Sequence, residues 1–387
     1  MRILHVLGSL NRGGIETWLR HTVVRLPRGR YQSDFCTYRS ERGAYAVDVE
    51  SFGCELHHIP LGSSPVAILR FAKQFRRLLG EGHYDVVHCH GLLLVGFILF
   101  LAWLENTPVR VAHAHSVDRN ARPANRLGLV LNRALTRVCS THGITCSTET
   151  GVALFGRHWR ENPKNKLIHC GVDLTAFVGD IDEEALRTAL GIEPGRKTIG
   201  HVGSFSAVKN QRFLVEMAAH VFRRRPDVVL LLVGEGTLRP SIEESCLELG
   251  IRPRVIFAGE SSRVPDLMRS AMDVFVMPSL HEGLGMVLLE AQAAGLPCLA
   301  SDVVPHEVAV SDGAVQFLSL ESGVEAWADA VLSLLEKPLR RPDLLARMVN
   351  SDFNVVVSAE RLENLYRQTE IAPQDSSPVA GAYSAKV

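Results

Sequence analysis

Short apolar runs alternate with longer amphipathic segments along most of the 387-residue chain. Runs such as MRILHVLG at the start and YDVVHCH at 84–90 have the length and composition of buried strands. Residues 65–82 instead repeat apolar side chains at helical spacing: Ile68, Leu69, Phe71, Ala72, Phe75, Leu78 and Leu79. Because few hairpin signals interrupt this alternation, it predicts parallel sheets with helices on both faces.

The alternation occurs in two series, which predicts two doubly wound, Rossmann-like domains. The first series ends near GITCS at 143–147, which we interpret as the last strand of the first sheet. The polar stretch RENPKNKLIHCGVDLTAFVGD at 160–180 has the composition of an interdomain connection. We therefore predict domains over residues 1–170 and 171–350. A C-terminal helix within 351–372 could pack on either domain, and we favour the first; the tail at 373–387 has little apolar content and is predicted to be disordered.

The longest apolar run, Leu92–Leu104, has 13 residues, whereas a membrane span needs about 20. It directly follows a predicted strand, so we expect a buried helix. The opening residues lack the length and cleavage pattern of a signal peptide. Eight cysteines without a CxxC pair favour reduced thiols. These features predict a cytoplasmic protein.

The formal net charge of zero conceals an asymmetry between the two halves. The first 170 residues carry 22 Lys and Arg against 12 Asp and Glu, whereas the remainder carries 20 against 30. A basic half could approach nucleic acid, an anionic membrane or an anionic substrate, or the two lobes could simply attract each other. The predicted helix at 65–82 carries Arg70, Lys73, Arg76 and Arg77, which suit either an anionic bilayer or a solvated face. We expect possible peripheral membrane contact and no nucleic acid.

Glycines and a lysine follow two predicted strands at positions suited to binding an anion. Gly13 and Gly14 separate the first strand from its helix, and Lys209 opens the helix after the strand that Gly203 ends. Backbone N–H groups at a helix N-terminus bind phosphates, and a nearby lysine adds charge. The pattern is not GxGxxG, so a nicotinamide or flavin cofactor is not indicated. Tight turns and a solvated lysine are the alternatives.

Four histidines occupy the ends of two predicted strands: His88, His90, His113 and His115. Residues two apart on a strand share a face, so a metal site is geometrically possible. No carboxylate pattern completes such a site, and we predict none. We expect instead that His115, which ends its strand before a polar loop, contacts a substrate.

The segment HEGLGMVLLEAQAAG at 281–295 carries two acids, Glu282 and Glu290. On one helix they would lie about 12 Å apart, too far to share a proton or a metal ion. The alternative, in which neither acid has a function, is an acid that stabilises a helix N-terminus together with a surface glutamate. However, the apolar neighbours of Glu290 favour a partly buried carboxylate that needs a polar partner.

Together these segments resemble a retaining glycosyltransferase of family 4, which has the two-domain GT-B fold. The matching segments are GGIE at 13–16, Gly203 with Lys209, LVGEG at 232–236, the E-x7-E segment at 282–290 and CGVD at 170–173. RVAHAHS at 110–116 and ITCSTETGVALFG at 144–156 further resemble the branch that builds capsular polysaccharides and exopolysaccharides. The resemblance covers about residues 1–367.

The resemblance implies a transferase that moves a hexose, with retention, from a nucleotide sugar to a glycan or polyprenyl-linked acceptor during cell-surface polysaccharide synthesis. A UDP-sugar is the favoured donor, and neither a cofactor nor a metal ion is expected. The first domain would bind the acceptor and the second the nucleotide sugar, across a central cleft. Front-face attack by the acceptor hydroxyl, with the leaving diphosphate as base, is the expected mechanism.

The resemblance also implies roles for individual residues. Glu290 would bind the ribose hydroxyls, Glu282 would bind the transferred sugar, and Lys209 would neutralise the diphosphate. His115 would lie near the anomeric carbon, and Glu16 on the acceptor side. The implied catalytic residues are His115, Lys209 and Glu282. The implied donor-binding set is Gly14, Gly203, Ser204, Lys209, Glu282, Leu284, Gly285, Met286, Val287 and Glu290.

One position departs from the family pattern, because Ser204 stands where an arginine usually follows the glycine. Loss of that cation could weaken donor binding, and Arg212 or Lys197 could substitute for it. The alternative is a catalytically impaired nucleotide-sugar-binding protein derived from such an enzyme. An epimerase or a phosphorylase is a weaker alternative, and a phosphorylase would need a pyridoxal lysine site, which is not evident.

Overall fold

The computed structural model describes residues 1–39, 43–117, 123–336 and 341–371. Within them, the first half folds around seven parallel strands in the order β3-β2-β1-β4-β5-β6-β7. The strands are β1 Arg2–Leu7, β2 Gln32–Thr37, β3 Leu56–His58, β4 Val86–His90, β5 Val109–Ala114, β6 His142–Thr145 and β7 Asn165–Leu167. The helices are α1 Gly14–Val23, α2 Ala46–Ser51, α3 Pro65–Gly82, α4 Val95–Leu104, α5 Pro123–Cys139 and α6 Thr148–Phe155.

The described part of the second half folds around six parallel strands in the order β10-β9-β8-β11-β12-β13. The strands are β8 Lys197–Val202, β9 Val228–Val233, β10 Val255–Gly259, β11 Val274–Met277, β12 Cys298–Ser301 and β13 Val315–Leu318. The helices are α7 Glu183–Ala189, α8 Gln211–Arg224, α9 Arg239–Glu248, α10 Val264–Ser270, α11 Met286–Ala293, α12 Gly323–Leu335, α13 Pro342–Val349 and α14 Val355–Ile371. Two parallel, doubly wound sheets confirm the predicted fold class.

The apolar run at Leu92–Leu104 forms the predicted helix, α4, which packs against α5 and the sheet. Val95, Ile98 and Leu99 are fully buried there, whereas Trp103 at its end is half exposed. Within the described residues, no helix combines the length and the apolar character that a bilayer span requires.

The sequence interpretation of the first sheet is wrong at its last strand. GITCS contributes β6, but β7 (Asn165–Leu167) follows it at the edge, inside the stretch assigned to the connection. A strand of only three residues, Asn165, Lys166 and Leu167, is too short to show an alternation, so pairing with β6 makes this segment a strand.

The chain crosses back to the first domain at its C-terminus. Val172 pairs with Asn354 in an isolated parallel bridge, and helix α14 then packs along α1. There the Trp18 indole N–H donates to the Ser358 hydroxyl at 3.0 Å, and the Tyr366 hydroxyl lies 2.6 Å from His88 Nδ1. These contacts fix α14 to the first sheet; the tail predicted to be disordered, 373–387, lies outside the described residues.

Candidate active site

A cleft of about 860 Å³ lies where loops after the strands of both domains meet. Ligands of open parallel sheets bind beyond the carboxyl ends of the strands, and both domains contribute that edge here. The predicted site residues that line the cleft are Gly14, His115, Gly203, Ser204, Lys209, Glu282, Leu284, Gly285, Met286, Val287 and Glu290. The sheets therefore bring together residues that lie up to 276 positions apart in the chain.

The N-termini of two helices, α1 and α11, face each other across the cleft. A Cβ added at Gly14 would lie 3.0 Å from Met286 Cγ, so the first residues of the two helices nearly touch. The N-cap residues, Gly13 and Gly285, have no side chain that could cap the helices, and Gly285 adopts a φ of 89° that favours glycine. In the first turn of α1, the amide of Glu16 donates to the carboxylate of the same residue. Uncapped N–H groups and helix dipoles from both domains therefore converge on one place, an arrangement that binds anions.

Lys209 enters the cleft between these helix ends. It ends a 3-10 turn, Ala207–Lys209, held to the loop after β11 by a hydrogen bond from the Leu280 amide to the Val208 carbonyl, 2.8 Å. Its Nζ donates to Glu282 Oε1 at 2.7 Å, and both side chains are largely buried. The pairing orients the ammonium group and partly neutralises it, while leaving its other two hydrogens available for a ligand.

Glu290 lies in the second turn of α11 and lines the cleft. Among the described residues, none pairs with its carboxylate. Burial raises the pKa of Glu290 to about 7, because the charged form loses its hydration. A carboxylate without a protein partner at the wall of a cleft is suited to accept hydrogen bonds from a ligand.

The His115 ring is held by protein groups on both sides. Its Nε2 lies 3.0 Å from His90 Nδ1, and its Nδ1 lies 3.5 Å from Cys170 Sγ. Its backbone carbonyl faces the loop before α11, since a Cβ at Gly283 would lie 1.9 Å from that oxygen. Both ring nitrogens of His115 therefore have protein partners, and its carbonyl packs against Gly283.

Glu16 is the one predicted site residue that does not line the cleft. It lies in the first turn of α1, behind Gly13, and burial raises its pKa to about 7 despite the nearby Arg39. Its carboxylate is therefore placed to hold the loop before α1 rather than to touch a ligand directly.

The cations proposed to replace the missing arginine lie elsewhere. Arg212 pairs with Glu216 on the exposed face of α8, and Lys197 pairs with Asp273 at the opposite end of β8. Neither lines the cleft, so in this structure neither side chain takes the place of the missing arginine. Arg12, which the sequence analysis missed, does line it, and no described residue pairs with this arginine. The signal that could have identified Arg12 was its position directly before Gly13 and Gly14 in the sequence.

The structure also brings in a histidine that the sequence analysis missed, His5 of β1. His90 Nε2 lies 3.1 Å from His5 Nδ1, which continues the row that starts at His115. A second pair joins His113 Nδ1 to His88 Nε2 at 3.0 Å. Burial lowers the pKa of His5 to about 3 and also lowers that of His88, His90 and His113. The layer beneath the cleft is therefore built from neutral rings.

The comparisons with known proteins identify the family. Models of two families match the chain: Glycosyltransferase Family 4 over residues 12–176 and Glycosyl transferases group 1 over residues 182–352. EpsF of Bacillus subtilis strain 168, described as a glycosyltransferase, is 38% identical over 337 residues, which cover 85% of this chain and 86% of EpsF. The chain belongs to glycosyltransferase family 4. The family and the enzyme class predicted from the sequence are therefore confirmed.

One further relative of this glycosyltransferase and two solved structures extend the comparison. The Escherichia coli UDP-Gal:alpha-D-GlcNAc-diphosphoundecaprenol alpha-1,3-galactosyltransferase is 27% identical, over 75% of this chain and 77% of its own length. Among solved structures, Anabaena HepE in complex with UDP-glucose superposes with a TM-score of 0.80 over 95% of this chain and 100% of HepE, at 20% identity. WaaG, a glycosyltransferase of lipopolysaccharide biosynthesis, gives 0.71 over 94% of this chain and 99% of WaaG, also at 20%. These structures share the fold.

Proposed function

We propose that this glycosyltransferase transfers a hexose, with retention, from a UDP-sugar to a polyprenyl-linked glycan during exopolysaccharide synthesis, without a metal ion or another cofactor. The observation that carries the proposal is the meeting of two uncapped helix N-termini beside Lys209 in one cleft. A diphosphate placed there receives backbone N–H donors from both domains and one ammonium group. Arg12 from the first domain supplies the second cation. It replaces the arginine that the family usually has at the position of Ser204.

The two acids of α11 and its preceding loop bind the two ends of the donor. Glu290 accepts hydrogen bonds from the ribose hydroxyls, and Glu282 from hydroxyls of the transferred sugar. The diphosphate lies between them, over the amides from Leu284 to Val287. Glu282 also pairs with Lys209 at 2.7 Å. The binding of the sugar by Glu282 and the neutralisation of the leaving diphosphate by Lys209 are therefore coupled.

Retention results from attack and departure on the same face of the sugar. The other acids that line the cleft, Asp48 and Asp173, are held by Arg20 and Arg25, which leaves neither placed as a nucleophile. The bond from the anomeric carbon to the phosphate oxygen breaks while the bond to the acceptor oxygen forms. The acceptor's proton passes to the departing phosphate oxygen. Stabilising the charge on that diphosphate is the main catalytic contribution of the protein.

The choice of donor and acceptor rests on the relatives. The Escherichia coli relative is named for a UDP-Gal donor and a diphosphoundecaprenol-linked acceptor, and HepE was solved with UDP-glucose. A lipid-linked acceptor requires the first domain to work at a membrane surface. Helix α3 supports this, since Val66 and Leu69 are about 70% exposed next to the exposed cations Arg70 and Lys73.

A donor panel tests the proposal. We expect isothermal titration to detect binding of UDP-sugars in preference to GDP- and ADP-sugars, and transfer to a polyprenyl-diphosphate saccharide to persist in EDTA. Lys209→Met should mainly lower turnover, since the ammonium group acts on the leaving diphosphate. Arg212→Met, which removes a cation outside the cleft, is the matched control and should behave as wild type.

Absence of binding to every nucleotide sugar would reject the proposal. Binding without turnover, across diverse acceptors, would favour the impaired nucleotide-sugar-binding protein instead. Loss of transfer in EDTA that added Mg²⁺ restores would contradict metal independence.

A further inference from the structure

The floor of the cleft contains a cluster of metal-ligating atoms that the transfer reaction does not use. His115 Nδ1, Cys146 Sγ and Cys170 Sγ all lie within 4.8 Å of one another and are buried from bulk solvent. All three residues also line the cleft. From this geometry we propose that His115, Cys146 and Cys170 form a Zn²⁺ site whose fourth ligand position opens into the cleft.

The sheet topology itself places these three residues together. His115 and Cys146 directly follow the adjacent strands β5 and β6, and Cys170 comes three residues after β7, the next strand. The strands end in register, with Ala114 opposite Thr145 and Thr145 opposite Leu167. The cluster is therefore held by backbone pairing rather than by mobile loops, as a preformed ligand site requires.

The distance between two of the three proposed ligand atoms already matches tetrahedral zinc. Zn–S bonds of about 2.3 Å and Zn–N bonds of about 2.05 Å place sulfur and nitrogen roughly 3.5 Å apart in a tetrahedron. Cys170 Sγ lies 3.5 Å from His115 Nδ1. In the metal-free protein the same distance serves an S–H···N hydrogen bond, so the thiol proton is the group that the ion would displace.

A second shell supports the proposed ligands. A ligating histidine usually donates its other ring N–H to a protein acceptor, which fixes the tautomer. His115 Nε2 lies 3.0 Å from His90 Nδ1, which can accept that hydrogen. Cys146 Sγ has the Thr150 hydroxyl at 3.6 Å. Both contacts leave the three ligand atoms directed towards one another.

Charge balance favours this cluster over the two all-histidine groups nearby. Two thiolates and one Zn²⁺ sum to a neutral site, which is the form that a buried location tolerates. The groups of His5 with His88 and His90, and of His90 with His113 and His115, offer no anionic ligand. An ion there would carry an uncompensated double charge beneath the sheet, so those histidines serve better as hydrogen-bonded packing.

Cobalt titration of the reduced, metal-free protein tests the site. We expect one Co²⁺ per chain, a thiolate-to-cobalt charge-transfer band and the d–d bands of tetrahedral cobalt, all removed by one equivalent of Zn²⁺. Cys146→Ser and Cys170→Ser should each weaken binding by at least about 100-fold, beyond the 10- to 100-fold effect of second-shell changes. Cys139→Ser removes a buried thiol of the same domain outside the cluster and should bind cobalt as wild type does.

A second measurement covers the case in which a serine variant misfolds. Zn²⁺ should protect Cys146 and Cys170 of the wild-type protein from a thiol-alkylating reagent, followed by mass spectrometry, and leave the other six cysteines unaffected. A cobalt spectrum without the charge-transfer band, or unselective protection of the thiols, would overturn the proposal. Neither readout needs a donor or an acceptor, so this test and that of the proposed function fail independently.

Discussion

Glu290 and Lys209 show how single side chains of the cleft are prepared for a ligand. The Lys209 ammonium group has an anionic partner, Glu282, at 2.7 Å, whereas the Glu290 carboxylate has none among the described residues. The sequence favoured a polar partner for Glu290 and gave no sign of the Lys209–Glu282 contact, which joins residues 73 positions apart. Contacts of that range depend on how two loops meet, and local patterning does not encode them.

Replacing Glu290 with glutamine should stabilise the free protein at high pH. Its pKa is about 7 in the fold, above that of an unfolded glutamate, so ionising it costs stability progressively as the pH rises through this window. The cost is complete above pH 7 and amounts to about 3 kcal/mol at most. We expect a higher thermal midpoint for Glu290→Gln at pH 8 and nearly none of this gain at pH 4.5. Glu321→Gln, at an exposed glutamate of the same domain, should change neither.

The same titration should govern donor affinity. Ribose hydroxyls donate to the ionised carboxylate, so below pH 7 the donor must displace a proton and its dissociation constant should rise by up to tenfold per pH unit. Glu290→Gln should bind more weakly at pH 8 and lose this pH dependence. Calorimetric titrations between pH 6 and 8 measure both effects. An unchanged pH dependence in the variant would remove Glu290 from the donor site.

At the scale of elements, the alternation of strands and helices was predictable wherever a segment carried its own periodicity. β7 was not, because its three edge residues are too few to show a periodicity and acquire their structure only from the neighbouring strand. The sequence also did not predict that the N-termini of α1 and α11 face each other. Gly13 and Gly14 marked a turn, but the approach of Gly14 to Met286 depends on the arrangement of whole domains.

Gly14→Val tests that approach. The new side chain would meet Met286 Cγ and Cβ at 3.0–3.2 Å and hold the two helix ends apart, and displacements near 1 Å at a catalytic site cost about 100-fold in rate. We expect transfer to fall by about that factor. Gly128→Val places the same side chain in open space on α5 and is the control. If Met286→Gly in the Gly14→Val background, which removes both the Cγ and the Cβ that the new side chain meets, fails to restore transfer, the steric explanation is wrong.

At the scale of the whole molecule, the structure shows where some of the basic residues of the first half are exposed. The first half of α3 exposes Arg70 and Lys73 beside Val66 and Leu69. Further along the same helix, Arg76 pairs with Glu105 and Arg77 with Glu81. The sequence could not distinguish paired from unpaired cations. Among the described residues, none forms an ion pair with Arg70 or Lys73, so the membrane contact proposed above would fall on these two side chains.

Reversing these two charges tests membrane contact. Each basic residue near an anionic bilayer contributes about 1 kcal/mol, so Arg70→Glu with Lys73→Glu should lower partitioning into phosphatidylglycerol vesicles by about 30-fold or more. Flotation at moderate salt measures it. Lys164→Glu with Lys166→Glu, an equal charge reversal at the β7 edge of the same domain, is the control. Equal flotation of both variants and wild type would reject a role for α3.

The two facing helix ends also affect the steps that come after sugar transfer. Whatever anion joins them holds one domain against the other, and the diphosphate remains after the sugar has left. We therefore expect the nucleoside diphosphate to keep the lobes together, and its release to limit the turnover rate. A nucleoside monophosphate, which has one phosphate fewer to accept the N–H donors of the two helices, should dissociate faster and compete poorly. The two helix ends that bind the donor would thereby also determine how fast the enzyme returns to its free state.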